Sequence, residues 1–244
     1  MYLQHYQEFK DILETYVVSE HAKEVLNGLR LVLMTAPTST GKNTIMRHLV
    51  ETGRYYFVVS DTTRKPRMND GIMEQNGKEY WFRTEEQVLA DLKAGELLEA
   101  EIVHKQQVSG MSIRELKKAQ AEGKIAISDV DPIGIGNVIK VKADTIAILL
   151  VPPSFEEWER RLAGRGKMRP DEQKRRYETA LMVLEDGLKQ NYYQFVITDN
   201  IDQSAKIIDA IIAEKANPHQ GRAPGLIQQL QENIKQKIES MVGY

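Results

Sequence analysis

The chain has 244 residues, of which 41% are hydrophobic and 28% charged, and its formal net charge is −2. That composition is globular, and a charge balance so close to neutral supplies no global field toward nucleic acid or anionic membrane. The absence of cysteine excludes disulfides, thiolate metal sites and a cysteine nucleophile, and the five histidines (His5, His21, His48, His104, His219) stand singly, without ligand spacing. No basic segment followed by an apolar run opens the sequence, and the longest apolar stretch, TIAILLVPP, is too short to span a bilayer, so a cytoplasmic protein is expected.

In chain order, residues 2–17 place Tyr2, Tyr6, Phe9, Leu13 and Tyr16 at helical spacing, which predicts a helix with one apolar face. Strands are predicted at LRLVLMT (29–35), YYFVVS (55–60), KIAISDV (124–130), DTIAILLV (144–151) and YQFVIT (193–198). Runs apolar on both faces suit buried parallel strands. Helical stretches lie between most of them, and Ser112 before IRE and Ser154 before FEE have the S-x-x-E form of a capping box. This alternation predicts an α/β fold, a parallel sheet flanked by helices. A Pro/Gly-rich linker, ANPHQGRAPG, then sets off a last helix over 225–242, apolar through Leu226, Leu230, Ile234, Ile238 and Met241. The expected organisation is an N-terminal helical extension (1–28), a central domain (29–215), and a linker with a C-terminal helix (216–244). The terminal helices would pack on the domain or on a second copy, giving a homo-oligomer.

Between the first strand and the helix that begins KNTIMRHLV lies APTSTG. The stretch is close to the phosphate-loop pattern G-x-x-x-x-G-K-[ST], with Ala36 in place of the first glycine and Asn43 in place of the hydroxyl. Strand, small-residue turn and helix are the context that loop requires. Ala36, Pro37, Thr38, Ser39, Thr40 and Gly41, with Lys42, Asn43 and Thr44 opening the helix, are expected to surround nucleotide phosphates. Lys42 would place its charge beside the β and γ oxygens, and bulk at Gly41 would block the approach of backbone to phosphate. The Asn43 amide oxygen would meet Mg²⁺ directly or through water, since Thr44 comes one position late. Downstream, SDTTRKPR (60–67) carries Arg64 and Arg67 three residues apart around Pro66, spaced to clamp one phosphate.

Taken together these blocks resemble the guanylate kinases, nucleoside-monophosphate kinases that transfer phosphate from ATP to GMP. APTSTGK is similar to the family's [GA]-P-S-G-x-G-K, and Ser60, Thr62, Thr63, Arg64, Pro66 and Arg67 to its S-x-T-T-R-x-P-R. NGKEYWF (76–82) resembles N-G-x-[DE]-Y-x-F, which implies that Tyr80 joins Ser60, Arg64 and Arg67 in binding GMP. GELLEAEIV resembles the strand whose glutamate reads guanine, here Glu99, and a carboxylate suits two adjacent N–H donors. SDVD resembles L-D-I-D, implying Asp129 as a second guanine contact and Asp131 as a neighbour of metal and phosphates. VPPSFEEWERRLAGRG is similar to the P-P-S…R-L-x-x-R-G block, which makes Arg161 and Arg165 lid arginines, with Arg176 from the following helix. The resemblance implies a P-loop NTPase-like sheet with an acceptor-binding insert at about 60–112 and a helical lid at about 161–176. It also implies Mg²⁺ as cofactor, held weakly by Asn43 and Asp131, and Lys42, Arg161, Arg165 and Arg176 as the catalytic cations around the moving phosphoryl.

Two segments depart from the family pattern. HKQQVSGMS (104–112) replaces a G-x-Y-Y-G-[ST] turn, putting Val108 where a phosphate-binding tyrosine is expected and the base-reading hydroxyl at Gly110, or at Ser109 after a one-residue shift. Val108→Tyr is then expected to strengthen GMP binding. MNDGIMEQNGKE (68–79) is longer than usual. Two other readings compete: a kinase of another phosphorylated acceptor, of the ribose bisphosphate type, and a non-catalytic binding module, which Lys42 and the lid arginines disfavour.

Overall fold

The computed structural model describes residues 2–69, 71–164, 166 and 168–241. Helices α1 (Tyr6–Glu14) and α2 (Glu20–Asn27) precede strand β1 (Leu31–Thr35), all five of whose residues are buried. Helix α3 (Lys42–Glu51) and β2 (Tyr55–Phe57) lead into four short strands, β3 (Asp61–Thr62), β4 (Met68–Asn69), β5 (Ile72–Met73) and β6 (Trp81–Phe82). Then come α4 (Glu85–Lys93), β7 (Leu97–Val103), β8 (Gln107–Ser112), α5 (Ile113–Ala121), β9 (Ile125–Asp129) and α6 (Pro132–Val141). The chain continues through β10 (Ile146–Val151), α7 (Phe155–Ala163), α8 (Pro170–Lys189), β11 (Tyr193–Ile197), α9 (Ile201–Ile212) and α10 (Ala223–Met241).

Two compact units result. The first holds Val32–Gly53, Asp129–Pro132 and Ile146–Tyr244. In it β1, β10 and β11 run parallel in the order β11-β10-β1, with Val32 opposite Ile146 and Leu149 opposite Phe195. Five of the six β10 residues are buried, as a strand covered on both faces requires. Helix α8 comes so close to β10 that any Cβ at Gly187 would collide with the Leu149 side chain. Helix α10 lies against α8 with Ala223, Ile227, Leu230 and Ile234 buried.

The linker before α10 is ordered by the strand it borders. The His219 Nδ1 accepts from the Ile197 N–H (2.9 Å), and the Gln220 amide both accepts from the Phe195 N–H (3.0 Å) and donates to the Tyr193 carbonyl (2.9 Å). Side chains thus satisfy the outer backbone groups of β11, which a further strand would otherwise have to do.

The second unit holds Met1–Leu31, Arg54–Ser128 and Ile133–Thr145. It contains the parallel pair β2–β9 and a four-stranded sheet in the order β6-β3-β8-β7. Helix α1 seals one face of that sheet. Leu3 and Phe9 join Val88, Leu89, Leu92, Leu97 and Val108 in a buried cluster. The Tyr16 hydroxyl donates to the Leu97 carbonyl (2.6 Å) and accepts from the Leu97 N–H (3.0 Å), pinning the start of β7. At the start of the long 68–79 segment β4 pairs antiparallel with β5, with Met68 opposite Met73.

Helix starts follow expectation in part. Ser154 caps α7, accepting from the Glu157 N–H (3.2 Å). Ser112 precedes α5 without a side-chain cap, and the Glu115 carboxylate that would complete a capping box is bonded to Tyr56 (3.1 Å) and Lys118 (2.7 Å). The reciprocal box is found instead at Thr84 and Gln87, ahead of α4.

Candidate active site

The segment between β1 and α3 is shaped by bonds to its carbonyls. The Pro37 carbonyl accepts from the Thr40 N–H (3.3 Å) and hydroxyl (2.6 Å). The Thr38 carbonyl accepts from the Trp158 indole N–H (2.7 Å), and the Thr40 carbonyl from an Arg161 guanidinium N–H (3.2 Å). In a planar trans peptide the carbonyl and the next residue's N–H point in opposite directions. Tying down these two carbonyls therefore turns the N–H groups of Ser39 and Gly41 the other way. Ser39 (φ +63°) and Gly41 (φ +103°) are both left-handed, the alternation that makes an anion-binding nest. A Cβ at Gly41 would meet nothing within 4 Å, so what calls for glycine within the protein is the backbone angle. The Ser39 hydroxyl is buried and makes no hydrogen bond in the chain, leaving it for a ligand.

Lys42 is the first residue of α3, and its ammonium bonds Asp129 (2.5 Å). Asp129 is brought there by the Val130 N–H, which donates to the Met34 carbonyl of β1 (3.1 Å) and so fixes the end of β9 beside the loop. The resemblance gave Asp129 to guanine, whereas the structure places it on the loop lysine. Asn43 and Asp131 are exposed within the same unit, and Ala36 is half-buried at the strand exit.

Beside the loop lies a cleft of about 690 Å³, bordered by Gly41, Thr44, Arg47, His48, Arg160 and Asn200. The turn after β11, Thr198–Asn200, forms one wall, and nothing in its sequence marked it beforehand. Arg161 borders this cleft but is committed to protein partners: Glu157 (2.7 Å), the Thr198 carbonyl (2.9 Å) and the Thr40 carbonyl. Hydrogen bonds from Arg160 and Arg161 hold the Glu157 carboxyl down at about 2. Arg176, paired with Glu172 (2.6 Å), borders a smaller cleft together with Thr38. Arg165, the other expected lid arginine, lies outside the described residues.

The second unit groups the expected acceptor residues. The Arg64 guanidinium grips Glu74 with two bonds (2.5 and 2.8 Å) and stacks on the rings of Tyr80 (4.7 Å) and Phe82 (5.5 Å). Glu74 raises the Arg64 pKa, so the charge is permanent. Glu74 also accepts from the Arg67 backbone N–H (2.8 Å), while the Arg67 side chain is exposed. The Ser60 carbonyl takes the Trp81 N–H (2.9 Å), tying the segment before Arg64 to the strand after Tyr80. Glu74 was not singled out from the sequence, although its carboxylate holds the Arg64 guanidinium and the Arg67 backbone. Glu99 is half-buried on β7 opposite Met111.

The 104–112 turn is corrected by the structure. Val108 is fully buried in the cluster under α1 and does not face the polar side of the sheet. Gly110 cannot carry a hydroxyl-bearing side chain, because a Cβ there would strike the Glu99 carbonyl. Ser109 is the residue whose hydroxyl faces that side, within 2.9 Å of the Thr62 hydroxyl and 3.2 Å of the Gln107 amide.

As for Mg²⁺, no group of three or more histidine and carboxylate residues able to hold a metal occurs among the described residues. An ion that arrives with nucleotide phosphates needs only one or two protein oxygens and keeps its waters, and the oxygen donors of Asn43 and Asp131 are of the type it takes.

A buried parallel strand, a left-handed loop with outward-turned carbonyls and a lysine opening the next helix define a phosphate-loop nucleotide-binding protein of the α/β class. The family model for guanylate kinase matches residues 28–215. A guanylate kinase of Bifidobacterium longum is 34% identical over 191 residues, covering 76% of this chain and 94% of the relative. One from Nocardia farcinica is 39% identical over 157 residues, 64% of this chain and 79% of that one. In fold the chain is similar to the crystal structure of guanylate kinase from Anaplasma phagocytophilum, with a TM-score of 0.56 at 23% identity over 79% of this chain and 89% of the other. The chain belongs to the guanylate kinase family.

Proposed function

We propose that the chain transfers the γ-phosphoryl group of ATP to GMP, giving ADP and GDP. The observation that carries this reading is the loop at 36–44: two aimed amides, a buried hydroxyl at Ser39 with no hydrogen-bond partner in the chain, and Lys42 at the head of α3. In this reading Lys42 leaves Asp129 for the β and γ oxygens of ATP. Asp129 then serves the phosphate side, and Glu99 carries the recognition of guanine. Arg64 and Tyr80 hold the acceptor phosphate, with Arg67 and Ser60 beside them. Arg176, with Arg165, supplies charge to the moving phosphoryl, whereas Arg161 acts by shaping the loop. Mg²⁺, when bound with ATP, neutralises phosphate charge, and Asn43 and Asp131 hold it through water.

No described helix is long and apolar enough to cross a membrane. Phe9 of α1 and Ile227, Leu230 and Ile234 of α10 are buried within their own units, which favours packing on the domain, the first of the two placements expected from sequence.

A coupled assay of ADP release with Mg²⁺ and a panel of nucleoside monophosphates tests the proposal. GMP is expected to be the preferred acceptor, and Lys42→Ala to lose transfer while keeping the wild-type melting temperature. Preference for AMP or a sugar phosphate overturns the acceptor assignment, and an active Lys42→Ala overturns the role of the loop.

A further inference from the structure

We propose that Trp158 and the C-terminal helix α10 form a strut that positions the phosphate loop for nucleotide binding. Helix α10 lies beyond residue 215, where the family match ends. From it the Lys237 ammonium reaches a Glu159 oxygen on α7 (3.1 Å). The same oxygen accepts from the Tyr177 hydroxyl on α8 (2.7 Å), which in turn accepts from the Gln173 amide (3.0 Å). The Tyr177 ring packs edge-on against Trp158, with centroids 5.5 Å apart. The Trp158 indole N–H ends the series on the Thr38 carbonyl (2.7 Å).

The inner links are constrained. Trp158 and Tyr177 are both 0% exposed, so neither polar group can exchange its partner for bulk water. Desolvation and Glu159 both raise the Tyr177 pKa, so the hydroxyl stays a donor throughout the neutral range. The contact with Thr38 matters because that carbonyl and the Ser39 N–H belong to one rigid peptide plane. If the indole donor is lost, the plane can rotate and carry the Ser39 N–H off the phosphate. None of Trp158, Tyr177, Glu159 or Lys237 needs to touch the ligand; all four are positioning residues. Arg161 does the same for Gly41 through the Thr40 carbonyl, so two neighbouring residues of α7 aim two amides of the loop.

The inference rests on the phosphate-loop reading of residues 36–44, and ADP alone is the probe, so that failure of GMP as acceptor has no bearing on it. The experiment is calorimetric titration of Mg·ADP into the full-length chain and its variants, beside thermal melts and KM values for GMP. Trp158→Phe keeps an aromatic ring but removes the donor, and ADP affinity is expected to fall about tenfold, the effect of one buried acceptor left unpaired. KM for GMP should not change. Lys237→Ala is expected to weaken ADP about two- to threefold, the scale of a partly exposed ion pair, and Lys237→Arg to restore it. If Trp158→Phe does not fold, Tyr177→Phe replaces it, with an expected loss of about threefold from one hydrogen bond. Wild-type ADP affinity in the aromatic variant overturns the proposal. So does a Lys237→Ala chain that melts lower yet binds ADP normally. A wild-type chain that binds no ADP overturns the loop reading and the strut together. ADP binding without GMP turnover overturns only the proposed reaction, and the strut then stands or falls on the variants.

Discussion

Val108 stands fully buried among Leu3, Phe9 and Leu97, so a tyrosine at 108 would enter a filled core and not a binding site. Overpacking of this kind costs roughly 1–3 kcal/mol, and the phenol would lose its hydrogen-bonding partner as well. Val108→Tyr is therefore expected to lower the melting temperature by roughly 3–10 °C, read by thermal unfolding, without improving KM for GMP. A variant that is stable and binds GMP more tightly would show the valine facing the acceptor. The error in reading this position from sequence has a physical source. The β7–β8 turn is made with His104 and Lys105 at positive φ (52° and 57°), and the pairing slips between Leu97 and Glu99. Neither residue is a glycine or asparagine that would announce such a turn. One residue of slip moves every side chain of a strand to the opposite face, and Ser109 takes the hydroxyl's place that counting gave first to Gly110. The phosphate loop was legible because its spacing is read within one short stretch. The Lys42–Asp129 and Arg64–Glu74 pairs were not, since 87 and 10 residues separate the partners and like-looking carboxylates lie nearby.

At the scale of elements, the long parallel strands were legible from their double-sided apolar runs, and the two terminal helices from their spacing. Strands β3 to β6 were not, because two residues carry no periodicity to read. The linker before α10 reads as a loop, yet its side chains complete the outer edge of β11. His219 is central to that role. Its Nδ1 accepts the Ile197 N–H, which only the unprotonated nitrogen can do, and burial lowers its pKa below 6.5. The sign follows from linkage. Well above pH 6.5 the ring is neutral in both folded and unfolded chains, and the full contribution is present. As pH falls below the unfolded value, the unfolded chain takes up the proton first, so stability declines until the folded-state pKa is also passed. Urea unfolding from pH 7.5 to pH 5 should show a decline in this window that His219→Gln flattens. An unchanged slope in the variant would remove His219 from the account.

For the whole molecule, the informative fact is that each terminal extension belongs to a different unit. Helix α1 packs beneath β7, the strand of Glu99, with Phe9 0% exposed. Helix α10 packs on α8, whose neighbour α7 carries Trp158 and Arg161, with Ile234 1% exposed. Truncating either side chain removes core packing, at a cost of about 2–5 kcal/mol, and loosens the surface it supports. The kinetic effects should nevertheless divide. Phe9→Ala is expected to raise KM for GMP severalfold while leaving KM for ATP near wild type, because β7 and β8 lose their backing. Ile234→Ala is expected to do the reverse, because the helices that tie the Thr38 and Thr40 carbonyls lose theirs. Independent action of the two extensions predicts that the double variant shows both KM changes as the product of the single ones. Steady-state kinetics of the three variants, each measured below its melting onset, decides the matter. If each single variant raises both KM values alike, the extensions act through general stability and not through the half of the site each one supports.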